Sequence, residues 1–417
     1  MTQTTLVRDG VDTSATPWYA LSPEEVSRRF EVGLATGPTT QDPGTATLAN
    51  DVVTTYQKNG ITVDRAGSSA KITKVTVTGA GPTPAIAQNG IQVSDGAGAT
   101  ITGSTVTGNE CNDTAGGCGP DGFNQVQSGG ILVFDSGPTT VSSTNVSGND
   151  IGAYNIEDFA WAFYTPPSPF TPVAVSFSHM TLANRYENAF FDQGESALTS
   201  SHLSGGEVGI EVPQYSGQTF SPEDTTTSNT ITGASQDAVL VASDNAGGDL
   251  PVSLSATQSK FLASNTNGVA NQSTSVVNAT DNWWGAASGP SSWNFGTGSS
   301  VSADADFFPW ATNSLLTHQK TCTTAATKIT TGNNVVLCAK PGTNASLANG
   351  GSGHVLLIGN ATGNDHLIGS SSGETWIISG TQGANAINGN NGTGYIQERG
   401  DTSDTLINAS GYTVAAS

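Results

Sequence analysis

The chain has 417 residues, among them 51 Gly; 11% are charged, 7% are aromatic, and the formal net charge is -21. A surface this acidic repels phosphate backbones and anionic bilayers, which excludes a sequence-independent nucleic-acid partner. No apolar run reaches the 18 residues a membrane helix needs, and the shortage of Lys and Glu argues against a helical bundle.

Residues 1–45 differ in composition from the rest of the chain. Ser22 as N-cap, Pro23 at the first helical position and Glu24 and Glu25 in the first turn predict a short helix through about Val32. The stretch from Ala15 to Gly37 resembles the N-terminal cytoplasmic segment of cation-transporting P-type ATPases. The remaining sequence lacks that family's Asp-Lys-Thr-Gly phosphorylation motif and its membrane helices, so the resemblance implies a fused start and not a pump. Residues 1–30 also lack the basic, apolar and small-residue regions of a signal peptide, and no secretion signal is expected in them.

From residue 46 one phrase recurs. It opens on Gly-Ile (Gly60-Ile61, Gly90-Ile91, Gly130-Ile131, Gly209-Ile210), and apolar residues come next at every second position, the period of a strand with one buried face. A second run closes mostly on Gly-Asn and carries Val77, Val106, Val146, Leu182, Leu203, Ile231 and Phe261 in similar contexts. The unit is about 20 residues plus loops of variable length. No unit buries its apolar face alone; units stacked in parallel at ~4.8 Å do. The reading is all-β: a right-handed parallel β-helix over 46–290, with Val77, Val106, Val146, Leu203 and Ile231 in one inward stack. An antiparallel sandwich is the alternative, disfavoured because two-residue hairpin turns are missing.

Tyr56 to Ile61, Gly81 to Val93, and Asp281-Asn-Trp-Trp-Gly285 with Ser288-Gly-Pro290 resemble bacterial right-handed parallel β-helix repeat proteins of the pectate-lyase-like superfamily. The resemblance implies an extracellular solenoid that binds or modifies a polysaccharide as a lyase, hydrolase or epimerase. A non-catalytic adhesive or structural solenoid is equally within the fold's range. A monomer is expected.

Four cysteines form two local pairs, Cys111 with Cys118 and Cys322 with Cys338, which suggests two loop-stapling disulfides and an oxidising compartment. Residues 291–320 read as a linker. In the tail, 321–417, Gly363 to Leu367, Gly373 to Ile377, Gly383 to Ile387, Gly392 to Ile396 and Thr402 to Leu406 repeat every nine or ten residues. This resembles the Ca²⁺-binding nonapeptide of RTX β-rolls and implies a roll-like geometry, with a plain β-solenoid tail as the alternative. At the ion position stand Asp365, Thr375, Asn385, Gly394 and Asp404, so only Asp365 and Asp404 keep a carboxylate, and weak Ca²⁺ binding at most is expected.

The polar pattern with most chemical content is a column of acids at the ends of the first runs: Asp64, Asp95, Asp135, Glu157 or Asp158, Asp192 and, after a gap at Gln214, Asp244. Stacked ~5 Å apart they would hold Ca²⁺ against an acidic sugar or act as an acid–base pair, while the plain alternative is that Asp ends strands and starts turns. Residues 159–172 add an insertion with Trp161, Phe163 and Tyr164. Aromatic faces beside acids are how sugar clefts are built. The expected site therefore combines Glu157, Asp158, Arg185 and Asp192 as catalytic groups with Trp161, Phe163, Tyr164, Tyr186 and Glu187 as ligand contacts. Asp135, Asp158 and Asp192 are its expected metal ligands, with Asp365 and Asp404 serving the tail. Ca²⁺ is the cofactor considered, and no complete catalytic motif of a known family is present.

Overall fold

The computed structural model describes residues 44–56, 58–83, 87–111, 127–157, 173–244, 249–262, 267–292, 295–302, 304–380, 382–398 and 403–415. The predicted N-terminal helix, Cys118, Asp158 and the aromatic insertion with Trp161, Phe163 and Tyr164 lie outside these residues. The described regular structure is all strand, paired in parallel. It divides into two compact units, residues 1–235 with 246–250, and residues 236–245 with 251–417.

In the first unit every coil supplies three strands in a fixed order, beginning with Thr45–Ala49, Val52–Thr54 and Asn59–Asp64 and repeating with Ser69–Thr73, Thr76–Thr78 and Asn89–Ser94. Like strands of successive coils pair, so three parallel sheets wrap one core. The second sheet carries the expected stack: Val77 pairs with Val106, Val106 with Val146, Val146 with Leu182, Leu182 with Leu203 and Leu203 with Ile231. All of them are buried. Facing columns run through Ile72, Ile101, Val141, Phe177 and Leu198 on the first sheet, and through Ile61, Ile91, Ile131, Ala153, Ala189 and Ile210 on the third. Each large aliphatic side chain so buried stabilises the coil by ~1.5–3 kcal/mol.

The Gly-Ile opening has a steric cause. A Cβ at Gly90 would sit 2.2 Å from Cγ1 of Val106, and one at Gly130 2.2 Å from Cγ1 of Val146. The third strand starts where the second sheet's valines press in, and only glycine leaves room. The Gly-Asn closing is a ladder of side-chain amides: Asn109 Nδ2 donates to Asn149 Oδ1 at 2.7 Å, and Asn149 Nδ2 to Asn184 Oδ1 at 2.9 Å. Between the first and second sheets Lys74, Ser143, His179, Ser200 and Ser228 hold φ of 50–59° and turn the chain sharply. His179 is thus a corner residue and His202 an exposed residue of the second sheet, paired with Thr181.

The second unit begins with the same three-strand order. Asn282 and Trp284 of the Asp-Asn-Trp-Trp-Gly phrase are fully buried; Trp284 meets Phe261 edge-on at 5.1 Å, and Asn282 Nδ2 donates to Ala256 O and Ala279 O at 2.7 Å. The expected linker contains strands Ser300–Val301 and Ala305–Asp306, paired with the strands at Val269 and Val277. Phe295, Phe307 and Trp310 pack together there, and burial of these three rings holds the segment in place.

From Thr323 each coil has two strands instead of three, making a six-stranded and a five-stranded parallel sheet. Leu337, Leu357, Ile377 and Ile396 face Leu347, Leu367 and Ile387 across one core. The nine- or ten-residue repeat is half a coil, its apolar residue alternating between the two sheets. Cys322 and Cys338 are bonded to each other, and Cys111 is disulfide-bonded.

Candidate functional site

The outer face of the third sheet carries the chemistry. Its outward positions read Thr62 and Gln92 on the first two coils, then Leu132, Tyr154 and Phe190, then Glu211, each paired with the next. A parallel outward column holds Asp64, Ser94, Phe134, Ile156 and Asp192. Tyr154 and Phe190 meet edge to face, with centroids 5.1 Å apart and planes at 79°. On the middle coils an apolar and aromatic strip thus replaces the polar residues usual on an outward β face.

Carboxyl groups border this strip at both ends of the strand Glu187–Asp192. At its end, Asp192 accepts the Tyr215 hydroxyl at 2.9 Å and Gln218 Nε2 at 3.2 Å. Gln193 holds the same loop, accepting the amides of Thr219 at 2.6 Å and Phe220 at 3.0 Å. At its start, Glu187 is buried, and burial, then the charge of Glu211, pushes its carboxyl well above the ordinary range. Burial, then the charges of Asp192, Glu187 and Glu211, raises the Tyr154 phenol as well.

The expected acid column splits in two. Asp64 and Asp192 lie in the outward column, but Asp95, Asp135 and Glu157 fall one position later, at the corner: Asp95 N donates to Phe134 O, Asp135 N to Ile156 O and Glu157 N to Asp192 O. With a side-chain period of two, one residue of offset changes the face a side chain joins. Asp135 and Glu157 are fully buried on successive coils. Burial, and then the charge of Asp135, lifts the Glu157 carboxyl to about 8.

Arg185 does not join these acids. It precedes the strand Glu187–Asp192, so roughly 17 Å of extended chain separates it from Asp192. Its guanidinium lies 3.8 Å from Asp150 and 4.8 Å from the centre of the Tyr186 ring. Asp150 accepts the amides of Cys111 at 2.8 Å and Ser128 at 3.2 Å, and so ties these two residues together. The set Glu157, Arg185 and Asp192 therefore spans both edges of the sheet.

Of the expected metal ligands of the helix, Asp135 lies at the corner and Asp192 in the outward column, and Asp158 lies outside the described residues. Among the described residues no three His, Cys, Asp or Glu side chains gather as a metal site would require. In the roll, Asp365 accepts the amides of Ala345 at 2.7 Å and Asn360 at 2.5 Å, and Asp404 accepts Asn385 N and Nδ2, both at 2.9 Å. Both roll carboxylates thus serve as backbone caps.

Tyr154, Phe190, Leu132, Phe134, Ile156, Tyr215 and Gln218 complete the face and were not among the expected site residues. Their signal was present in the sequence: the outward positions of three successive Gly-Ile-type runs turn apolar, where a solvated strand carries Thr or Gln.

No protein family matches the chain, and no curated protein matches it either.

Proposed function

We propose that this is a right-handed parallel β-helix protein that acts outside the cell by holding a polysaccharide along the outer face of its third sheet. The observation that carries the reading is the Tyr154–Phe190 pair, continued by Leu132, Phe134 and Ile156 and bordered by Glu187, Asp192 and Glu211. Apolar ring surface suits the C–H faces of sugars, and flanking carboxyl groups take their hydroxyls. The right-handed sense is the general rule for crossovers between parallel strands. The disulfides at Cys322–Cys338 and Cys111 suit an oxidising compartment.

With a net charge of -21 the protein repels a polyuronate unless a cation intervenes, so a neutral polysaccharide is the favoured ligand. Holding is favoured over cleaving because Arg185 stands at the far edge from Asp192, and Asp135 and Glu157 are walled into the corner. The test is binding and product release against neutral and uronate-containing polysaccharides, with and without Ca²⁺. Retention of a neutral polymer without release of sugar supports the proposal. Release of new reducing or unsaturated ends would assign the protein to the hydrolases or lyases instead.

A further inference from the structure

We propose that the polysaccharide held on the third sheet is built of 2-acetamido sugars, with the Glu187 carboxyl donating to the acetamide oxygen and Glu211 accepting from the acetamide N–H. This inference rests on the polysaccharide reading and names the sugar class that the reading leaves open.

The side on which Glu187 stands follows from its column. Glu187 pairs with Ile151, and the same position on the preceding coils is held by Gly129, Asn89 and Asn59. Asn59 Nδ2 donates to Gln92 Oε1 at 2.9 Å, and a Cβ at Gly129 would stand 3.7 Å from Cδ1 of Tyr154. Gln92 and Tyr154 both face outward, so the column of Glu187 shares their face and runs beside Tyr154 and Phe190.

The neighbours of Glu187 there are apolar. Ile151 and Val208 flank it within the column, and Phe190 follows it on its own strand; all three are buried. Glu187 itself is 1% exposed, and its Oε2 has no hydrogen-bond partner. A buried carboxyl oxygen left unpaired is costly, and a ligand lying on the face can supply what the protein does not. Burial first and the charge of Glu211 second keep the proton on Glu187, so the group it offers is an O–H donor. Glu211 stands one coil further on, paired with Phe190, and offers an acceptor. Donor and acceptor thus border one aromatic ring.

An acetamido group matches this arrangement in three respects. Its carbonyl takes the donor, its N–H meets the acceptor, and its methyl lies against Ile151, Val208 and Phe190. A plain hydroxyl uses the two carboxyls but places nothing against the apolar wall, and a uronate meets the charge of Glu211. The charges that face Glu187 are Glu211 and Glu207 from the next coil and Asp150 from the coil before, with Arg185 against Asp150. Rising pH removes the Glu187 proton, and the donor goes with it.

The experiment is co-sedimentation of the full chain with chitin and with cellulose across a range of pH. These two polymers share one backbone and differ in carrying an acetamido or a hydroxyl group at the second ring carbon. Chitin should retain the protein about tenfold more tightly, the equivalent of one ordinary hydrogen bond, and the preference should narrow as pH rises. Glu187→Leu should bring chitin binding down to the cellulose level. Glu187→Gln, whose amide still donates, should keep the preference and lose its pH dependence; an unchanged circular-dichroism melt verifies each fold. Equal retention of the wild type by the two polymers would overturn this inference and leave the polysaccharide reading standing, whereas retention by neither would overturn both. A chitin preference that survives Glu187→Leu, or that Glu187→Gln abolishes, would also overturn the role given to Glu187.

Discussion

The Tyr215 hydroxyl donates to Oδ2 of Asp192 at 2.9 Å, and so fastens the loop after one third-sheet strand to the end of the strand before it. Gln218 Nε2 reaches the other oxygen at 3.2 Å, and both oxygens of this carboxylate are engaged. Asp192 is thereby a fixed border of the aromatic strip. Tyr215→Phe removes this bond to a charged acceptor together with the one the hydroxyl accepts from Gln193 Nε2 at 3.1 Å, and should cost ~1.5–3 kcal/mol locally. Hydrogen exchange in residues 215–220 should accelerate while the remaining amides keep their protection; unchanged exchange in that loop would show that the bond is not formed.

The amide ladder is a stronger determinant of stability. Asn149 Oδ1 accepts from Asn109 N at 3.1 Å and Asn109 Nδ2 at 2.7 Å, while its own Nδ2 donates to Asn184 at 2.9 Å. Asn149→Leu takes the acceptor from the backbone and side-chain amides of Asn109 and leaves Asn184 Oδ1 only the backbone amide of residue 149, and a loss of ~2–4 kcal/mol is expected in urea denaturation. A loss within ~0.5 kcal/mol, as for an ordinary surface change, would contradict the ladder.

Glu157 gives the fold a pH dependence. Burial first and the charge of Asp135 second raise its carboxyl from 4.5 to about 8. The folded state thus binds the proton more tightly than the unfolded chain, so its contribution is complete below pH 4.5 and is lost as pH rises through 8. The loss is on the order of 5 kcal/mol. Glu157→Gln should flatten the decline in Tm between those limits. Asp95 and Asp150, raised chiefly by burial to about 7 and about 6, act in the same direction and leave a residual slope. A variant profile parallel to the wild type would show that Glu157 is ionised in the fold.

The architecture was legible because its causes are local and repeated. Val77, Val106 and Val146 stand in matching contexts, and the Gly-Ile openings arise from one steric conflict copied coil after coil. In the tail, the repeat length showed that an apolar residue returns every half coil, as Leu367, Ile377 and Ile387 do. The site was less legible. Asp64 and Asp95 look equivalent in the sequence, yet a one-residue difference in where each strand ends puts one in the outward column and the other at the corner. Arg185 and Asp192 are seven residues apart in sequence, but an extended strand keeps them at opposite edges. The segment 291–320 lacks the repeating phrase and reads as a linker, although Phe295, Phe307 and Trp310 anchor it.

The central claim is that the third sheet's outer face holds a polysaccharide. The most direct measurement is co-sedimentation of the full chain with a panel of insoluble neutral and uronate polymers, comparing wild type, Tyr154→Ala and, as a control on the second sheet, Thr105→Ala. The account predicts that a neutral polymer retains the wild type and Thr105→Ala equally and binds Tyr154→Ala about tenfold more weakly, as expected for ~1.4 kcal/mol of lost ring contact. Failure of every polymer to retain the wild type, or retention that Tyr154→Ala leaves intact, would contradict it.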